Sequence, residues 1–386
     1  MTYLFPQDLV LREPSLRLAL IGYETVIANR STKLSTQSSG EHANTLRVVT
    51  SYMYSESAQV QNSMRGVSVI ICCHNSAYRI VETLRQLWCQ ETKEVPYEVI
   101  LVDNNCTDNT VEIATNEWRN HGRETSFRVV EESVPGLSAA RQKGIKEAKF
   151  EYIVLCDDDN WLAPDYLRIA FDTMESNPEA GVLGGSSTAN STVAFPEWFE
   201  EVKGDYAVGL QSDSPSCDVS ERGYVWGAGM VLRKSVFEKI IRHGIASVLT
   251  DRRGNELSRG GDSEICKWFL ILRYSLWYRA DLKFVHFLES DRLSKEYYSK
   301  MKEKQAESYL PLWLYDYLLN FLDLSLPKKT LTYIKALTRM ALNLNLSVLD
   351  ETTLCLLYGR RPSHNKMYVI TVEKIVRNVS LLLRLR

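Results

Sequence analysis

The amino-acid sequence predicts an α/β fold in which a mostly parallel central sheet is flanked by helices on both faces. The apolar runs at 67–73 and 152–155 are continuous rather than alternating, as strands buried on both faces require. Such runs alternate with amphipathic, helix-like segments over residues 67–174. Most of the runs end in polar or acidic residues, and ligands of parallel sheets bind beyond the carboxyl ends of the strands.

The predicted elements of the first half follow one another closely. The helix at 79–90 places Ile80, Leu84 and Leu87 on one apolar face. Pro164 stands at the first turn of the last of these helices, where proline is tolerated. The remaining boundaries follow from apolar runs and turn residues, giving strands at 97–102, 127–130 and 152–157 and helices at 108–118, 138–148 and 164–174.

The second half is less regular. Residues 186–222 are typical of a loop-rich insert, and Gly227-Ala228-Gly229 would let the backbone approach a ligand closely. A polar loop, expected to be mobile, covers 250–261, and Asp262 opens the helix that follows. The other predicted helices lie at 235–242 and from about residue 306 onward.

Composition and patterning divide the 386 residues into three segments. We expect a flexible N-terminal extension at 1–63, an α/β domain at 64–300 and a helical C-terminal region at 301–386. Residues 31–62 are rich in Ser, Thr, Gln and Asn and bury little, whereas Met64 directly precedes a strong strand. This contrast predicts that the natural chain starts at Met64.

Overall charge and cysteine usage exclude several classes of protein. A net charge of -2 gives no reason to expect nucleic acid as a partner. The eight cysteines form no CxxC pair, which argues against zinc and favours a reducing cytosol. The sequence contains no apolar stretch of about 20 residues, so no membrane span is predicted, and no secretory signal is apparent. We therefore expect a cytoplasmic protein, with the inner membrane face as an alternative.

Three consecutive acids, Asp157-Asp158-Asp159, end the strand at 152–157. Adjacent carboxylates repel one another, and a divalent cation relieves that repulsion. Mg²⁺ or Mn²⁺ commonly sits between protein carboxylates and substrate phosphates. The run therefore predicts a metal-dependent site for a phosphorylated substrate. The alternative is an acidic turn that caps the helix at Pro164.

Five motifs in order resemble the family 2 glycosyltransferases over about residues 66–300. They are Val69-Ile70-Ile71-Cys72-Cys73-His74-Asn75, Val102-Asp103-Asn104-Asn105-Cys106-Thr107-Asp108, Gly136-Leu137-Ser138-Ala139-Ala140-Arg141, the Asp-x-Asp motif Asp157-Asp158-Asp159 with Trp161-Leu162-Ala163-Pro164-Asp165, and Gly261-Asp262-Ser263-Glu264. Two departures stand out. Gly261 replaces an acid that usually precedes the aspartate, and 292–297 lacks the Gln-x-x-Arg-Trp motif of processive members. The second departure favours addition of one sugar per binding event.

The resemblance implies a GT-A fold, which is Rossmann-like, with a helical C-terminal extension. It implies an inverting transfer of sugar from a nucleotide sugar, expected to be UDP-linked, to a hydroxyl of a glycan or lipid-linked saccharide. Mn²⁺ or Mg²⁺ would be held by Asp157, Asp159 and His286. Asp262 would be the general base, with Glu264 as the second choice. The donor or acceptor would contact His74, Asn75, Asp103, Arg141, Asp158 and Trp226.

Each of these residues also has a purely structural interpretation. Asp262 is a common helix N-cap type, Asp103 a common turn residue, and Arg141 could face solvent on its helix. Glu264 could be a helix-start acid, while His286 and Trp226 could be core residues. The basic, amphipathic segment 368–386 fits either a helix at the membrane interface or a cap packed on the domain.

Two other functions share some of these features. A metal-dependent nucleotidyltransferase would need a glycine-rich, basic loop after the first strand, which His74-Asn75-Ser76-Ala77 does not provide. A non-catalytic sugar-nucleotide-binding relative would be expected to have lost the acids Asp157, Asp159 and Asp262, which are all present. Neither the sugar, the linkage nor the oligomeric state follows from the sequence.

Overall fold

The computed structural model describes residues 64–121, 125–249, 251–252, 259–325, 327–329, 331–332, 335 and 366–386. The predictions for 1–63, and most of the predicted loop at 250–261, therefore fall outside the described residues. The chain divides into two compact units, Ser63–Asp316 with Ile370–Arg386, and Met1–Asn62 with Tyr317–Val369. The predicted site residues all belong to the first of these.

The first half of the domain follows the predicted order of strands and helices. The ends of these strands and helices differ from the predicted ends by a few residues only. The elements are β1 (Met64–Cys73), α1 (Ile80–Trp88), β2 (Tyr97–Asp103), α2 (Thr110–Asn120), β3 (Ser126–Glu131), α3 (Leu137–Glu147) and β4 (Phe150–Asp157).

The second half contains several short elements that the sequence did not indicate. Its strands are β5 (Asn160–Leu162), β6 (Ala180–Asn190), β7 (Ser216–Asp218), β8 (Val231–Arg233) and β9 (Ser275–Phe287). Its helices are α4 (Tyr166–Ser176), α5 (Phe199–Val202), α6 (Lys234–Arg242), α7 (Gly261–Ile271), α8 (Lys295–Ala306), α9 (Tyr309–Asp323) and α10 (Lys366–Leu385). Single 3₁₀ turns lie at Lys203–Tyr206, Ser220–Arg222 and Ser290–Leu293.

These strands form one sheet in the order β3-β2-β1-β4-β8-β6-β9-β5, with β7 on β9. The pairs among β1, β2, β3 and β4 are parallel, as is β6 with β9. The pairs of β8 with β4 and β6, and of β5 and β7 with β9, are antiparallel. The predicted α/β architecture is confirmed, but its second half is mixed rather than parallel. Three-residue strands need no crossover helix to return, so antiparallel pairing is open to them.

Strand register brings three loop regions to one edge of the sheet. Cys72 lies opposite both Val102 on β2 and Asp157 on β4, and Cys73 lies opposite Asp103. The turns after β1, β2 and β4 therefore start at the same level. This is the crevice that the polar strand ends predicted.

The helix α1 shows how the pattern fixes the packing that holds this edge in place. Ile80, Leu84 and Leu87 are fully buried against the sheet, as their i, i+4, i+7 spacing predicts. Burial of each such side chain stabilises the fold by about 1.5–3 kcal/mol. The carboxyl ends of β1 and β4 are thus backed by a rigid layer.

The C-terminal helix packs on the α/β domain. Val372, Ile375, Val379 and Leu382 are fully buried. Asn378 Nδ2 donates to the Ala246 carbonyl at 2.7 Å and to the Tyr315 hydroxyl at 3.2 Å. The apolar side of residues 371–386 therefore packs against the rest of the protein. This favours the packed cap over a helix inserted in a membrane. Along the described part of the chain, no helix has the length and hydropathy needed to traverse a bilayer.

Candidate active site

The loops after β1 and β2 are locked together, and this places His74 and Asn75 at the crevice. Asn75 adopts a left-handed conformation with φ of 54°, which asparagine tolerates better than most residues. Its Oδ1 accepts a hydrogen bond from Thr107 N at 2.7 Å. His74 is exposed, and its Nδ1 donates to the Asn104 carbonyl at 2.9 Å, which leaves Nε2 open to a ligand.

Asp103 ends β2 and turns the chain with one carboxylate oxygen. Its Oδ1 accepts from Cys106 N at 2.9 Å, so the turn-forming interpretation holds for that atom. The neighbouring Asn104 is buried and grips the loop before α3. Its Nδ2 donates to two carbonyls, and its Oδ1 accepts from Gly136 N at 2.7 Å. Asp103 and the start of α3 are thereby fixed at the same edge.

A buried arginine joins acids from three parts of the chain. Arg141 is only 5% exposed, which rules out the solvent-facing interpretation. Its Nη1 donates to Asp251 Oδ2 at 2.9 Å, and its Nη2 lies 3.7 Å from Asp157 Oδ1. Burial raises the pKa of Asp157 to about 6 against the opposing charge of Arg141. The charge of Asp262 also acts on Arg141.

Asp262 lies in the first turn of α7 and touches the glycine segment before β8. Its Oδ2 accepts from Gly227 N at 2.8 Å. A Cβ on Gly227 would come within 2.9 Å of the Asp262 Cβ and 3.3 Å of Arg141 Nη2. Gly227 thus lets the backbone approach both side chains, whereas the predicted close approach to a ligand stays a prediction. Asp262 is half-buried, and Gly260 rather than Asp262 is the N-cap of the helix.

Asp251 occupies the space beside Gly261, the position where the family pattern usually has an acid. Its Oδ1 accepts from Gly261 N at 2.9 Å, and a Cβ on Gly261 would lie 2.4 Å from Asp251 Oδ2. A carboxylate from another part of the chain therefore stands where that pattern is broken. Sequence reasoning missed Asp251 because it lies ten positions before Gly261, outside the motif.

Asp158 is engaged away from the other acids. It accepts a short hydrogen bond from Ser76 Oγ and one from Arg79 Nη2 at 2.8 Å. The Asp158 carbonyl also accepts from Thr83 Oγ1 at 2.8 Å. These contacts tie the acidic turn to the start of α1 and orient Asp158, whose expected contact with ribose or sugar stays a prediction.

Asp159 is buried against two basic side chains. Arg292 Nη1 donates to its Oδ2 at 2.8 Å, and His286 Nε2 lies 3.6 Å from the same atom. Burial alone would raise the pKa of Asp159, but His286 and Arg292 hold it below its usual range. Arg292 comes from the segment that replaces the missing Gln-x-x-Arg-Trp motif, and its pairing with Asp159 could not be predicted from the sequence.

The donor set at Asp159 fits a divalent cation. His286 Nδ1 donates to the Tyr206 carbonyl at 2.8 Å, so in the neutral ring Nε2 carries the lone pair, beside Asp159. Within the ranges the structure describes, no group of three or more His, Cys, Asp or Glu side chains converges on one point. The protein would therefore supply few ligands, and phosphate oxygens and water the rest, as Mg²⁺ commonly accepts.

Glu264 has a structural environment. It is fully buried and accepts from Ser247 Oγ at 2.6 Å, Leu249 N at 3.0 Å and the Tyr315 hydroxyl at 2.9 Å. Val248 N donates to it as well. Burial raises the pKa of Glu264, although these donors oppose the shift. A side chain so enclosed cannot reach an acceptor, so the expectation of Glu264 as a base or acceptor contact is not supported.

Trp226 is half-buried next to Gly227. The Arg222 guanidinium carbon lies 5.4 Å from the centre of its ring, a cation–π distance. Trp226 N donates to Gln211 Oε1 at 2.9 Å. Trp226 is therefore not a plain core residue, because its ring is partly exposed and has a cation–π partner.

The fold and this edge define an α/β protein with a crevice at the strand ends, in which acids from β4 and α7 flank a buried arginine. Residues 68–241 match the sequence profile of the family described as Glycosyl transferase family 2. In this segment, a little under half of its length, the chain is similar to the family 2 glycosyltransferases, which confirms the resemblance drawn from its motifs.

Known proteins align with part of the chain. Poly-beta-1,6-N-acetyl-D-glucosamine synthase of Staphylococcus epidermidis is 29% identical over 133 residues, 34% of this chain and 30% of the relative. Poly(ribitol-phosphate) beta-glucosyltransferase of Bacillus spizizenii is 29% identical over 141 residues, 36% of this chain and 22% of the relative. The aligned segment thus spans less than a third of either relative. The crystal structure of S. aureus TarS 1-349 in complex with UDP-GlcNAc shares 17% identity at a TM-score of 0.45, covering 76% of this chain and 80% of that one.

Proposed function

We propose that this protein transfers a sugar from a nucleotide sugar to an acceptor hydroxyl with inversion at the anomeric carbon. One observation supports this most strongly. Arg141 lies between Asp157 and Asp251 and close to Asp262, so that the strand end and the proposed base face one crevice. A site for sugar transfer needs these two parts side by side, because the diphosphate leaves as the acceptor attacks.

Asp262 is the proposed general base. Gly227 N holds its Oδ2, which orients the carboxylate while the residue stays half-exposed to the crevice. A carboxylate in contact with the acceptor hydroxyl takes its proton as the new bond forms. Attack from the face opposite the diphosphate then inverts the anomeric centre.

Asp159 and His286 are the proposed metal ligands, with Asp157 in support. When bound, Mn²⁺ or Mg²⁺ stabilises the negative charge of the departing diphosphate as a Lewis acid. Arg292 contacts Asp159 and supplies a second positive charge at that place. Asp103, His74 and Asn75 stand at the adjoining strand ends, where the nucleoside of a UDP-linked donor would lie.

The proposed acceptor is a glycan or a lipid-linked saccharide, and the proposed location is the cytoplasm. Contact with a membrane, if made through α10, would use charge rather than its apolar side. Lys374, Arg377, Arg384 and Arg386 are exposed, while five apolar residues of that helix are buried, namely Val372, Ile375, Val376, Val379 and Leu382. Basic side chains near an anionic surface favour binding by about 1 kcal/mol each.

Release of UDP from a panel of UDP-sugars, with Mn²⁺ and with EDTA, tests the proposal. We expect one donor to be hydrolysed slowly in Mn²⁺ and release to stop in EDTA. If no donor is turned over and UDP does not bind in Mn²⁺, the proposed function is wrong.

A further inference from the structure

Three arginines interact with Tyr297, Arg252 by a hydrogen bond and Arg259 and Arg292 electrostatically. We call Arg252, Arg259, Arg292 and Tyr297 the arginine cluster. Arg252 Nη2 donates to the Tyr297 hydroxyl at 2.9 Å. Arg292 lies on the 3₁₀ turn Ser290–Leu293, directly before the helix α8 that carries Tyr297. These contacts place Arg252, which follows Asp251, next to the segment that holds Asp159.

The turn at Lys203–Tyr206 brings in the third arginine. Arg259 Nη1 donates to the Asp205 carbonyl at 2.8 Å. The next residue, Tyr206, donates through its hydroxyl to the Arg292 carbonyl at 2.9 Å and accepts from His286 through its own carbonyl. Arg259 and Arg292 are therefore held by two successive residues of the same turn, Arg259 by Asp205 and Arg292 by Tyr206.

Few acids pair directly with the three arginines of the cluster within the described residues, although the charge of Asp262 also acts on Arg259. Among the described residues only Arg292 forms an ion pair, with Asp159, while Arg252 and Arg259 bond to a hydroxyl and a carbonyl. Arg292 is 7% exposed, yet its buried Nε has no hydrogen-bond partner. Burial and the charges of Arg252 and Arg292 lower the pKa of Arg259. Like charges gathered in this way are stabilised by a bound anion.

We propose that the arginine cluster binds a phosphate group of the acceptor, so that the substrate is a phosphate-bearing glycan or polyol rather than a neutral one. The proposal rests on the proposed function. Arg259 lies three residues before Asp262, the proposed base that would contact the acceptor, whereas the donor diphosphate is proposed to lie at Asp159 and His286. Guanidinium groups suit phosphate because their planar fork makes two parallel hydrogen bonds.

Calorimetric titration of inorganic phosphate into the full chain, saturated with UDP and Mn²⁺, tests this proposal. We expect phosphate to bind alongside UDP, and Arg259→Gln and Arg252→Gln each to weaken phosphate binding by about tenfold or more while UDP binding is unchanged. Arg168→Gln is the matched control, because Arg168 pairs with Asp165 and Asp172 on α4, outside the crevice. It should bind phosphate like the unmodified protein.

Three results would overturn the proposal. They are no phosphate binding in the presence of UDP, displacement of UDP by phosphate, and equal phosphate binding by the cluster variants and the control. If Arg259→Gln does not fold, Arg252→Gln carries the same test, because it removes only one hydroxyl contact. Failure of the unmodified protein to bind UDP would instead count against the proposed function.

Discussion

Two backbone amides orient the Asp262 carboxylate. Its Oδ2 accepts from Gly227 N, and its Oδ1 accepts from Ser263 N at 2.7 Å. Both donors are backbone amides, so they fix the direction of the carboxylate without neutralising its charge. This is the arrangement that a base in contact with an acceptor hydroxyl needs.

Asp262→Asn keeps the shape of the side chain and can still accept from Gly227 N. We expect it to bind UDP normally and to lose sugar transfer by about 10²–10⁴-fold, since general-base catalysis contributes that much. Steady-state transfer rates and UDP calorimetry measure the two effects. Asp281→Asn, on the surface beside Arg279, is the control. Retained turnover in Asp262→Asn would remove Asp262 from the base role.

Asp251→Asn tests the buried ion pair with Arg141. Asparagine could still accept from Gly261 N, but Arg141 would lose the charge 2.9 Å away. Because the guanidinium is buried, we expect the free energy of unfolding to fall by about 3 kcal/mol. Urea denaturation measures it, and Asp172→Asn on the exposed face of α4 should change it by about 1 kcal/mol at most. Equal effects would show that Asp251 does not hold Arg141.

At the scale of elements, the glycine segment before β8 and the start of α7 must approach closely. Gly227→Ala would place a methyl group 2.9 Å from the Asp262 Cβ and push the two elements apart. Because a shift of about 1 Å at a catalytic group can cost 10²-fold in rate, we expect a large loss of transfer with the fold retained. Gly204→Ala is the control, because nothing lies within 4 Å of its Cβ position. An unchanged rate in Gly227→Ala would contradict the close approach.

The elements that could be predicted from sequence are those with a strong, local periodic signal. The strands β1, β2 and β4 have ten, seven and eight residues, most of them apolar. The helix α1 has a clear apolar face. The strands β5, β7 and β8 have three residues each, which is too short for any period to show. Their pairing depends on contacts with β4, β6 and β9 that lie far away in sequence.

The same distinction holds for the site. Residues that follow a strand, such as Asp103 and Asp157, were placed at the crevice correctly because strand ends meet at one edge. Partners that depend on long-range packing, namely Asp251 for Arg141 and Arg292 for Asp159, carry no sequence signal. The enclosure of Glu264 could not be predicted for a related reason. Its contacts with Tyr315 and the 247–249 loop depend on the three-dimensional packing.

At the scale of the whole molecule, the last helical turns complete the α/β unit. Leu382 is fully buried, whereas Leu383 beside it is half-buried. We expect Leu382→Ala to lower the free energy of unfolding by about 2–5 kcal/mol, as for other core leucines, and Leu383→Ala by clearly less. Chemical denaturation without lipid measures both. Equal, small effects would indicate that this helix side is free for another surface.

The central claim is that acids at the end of β4 and a cation together hold the diphosphate of a nucleotide. Calorimetric binding of UDP to the unmodified protein and to Asp159→Asn, each with Mn²⁺ and with EDTA, tests it most directly. The account predicts binding that depends on Mn²⁺ and is weakened by about tenfold or more in Asp159→Asn. Tight binding of UDP that is the same in EDTA and in Asp159→Asn would contradict it.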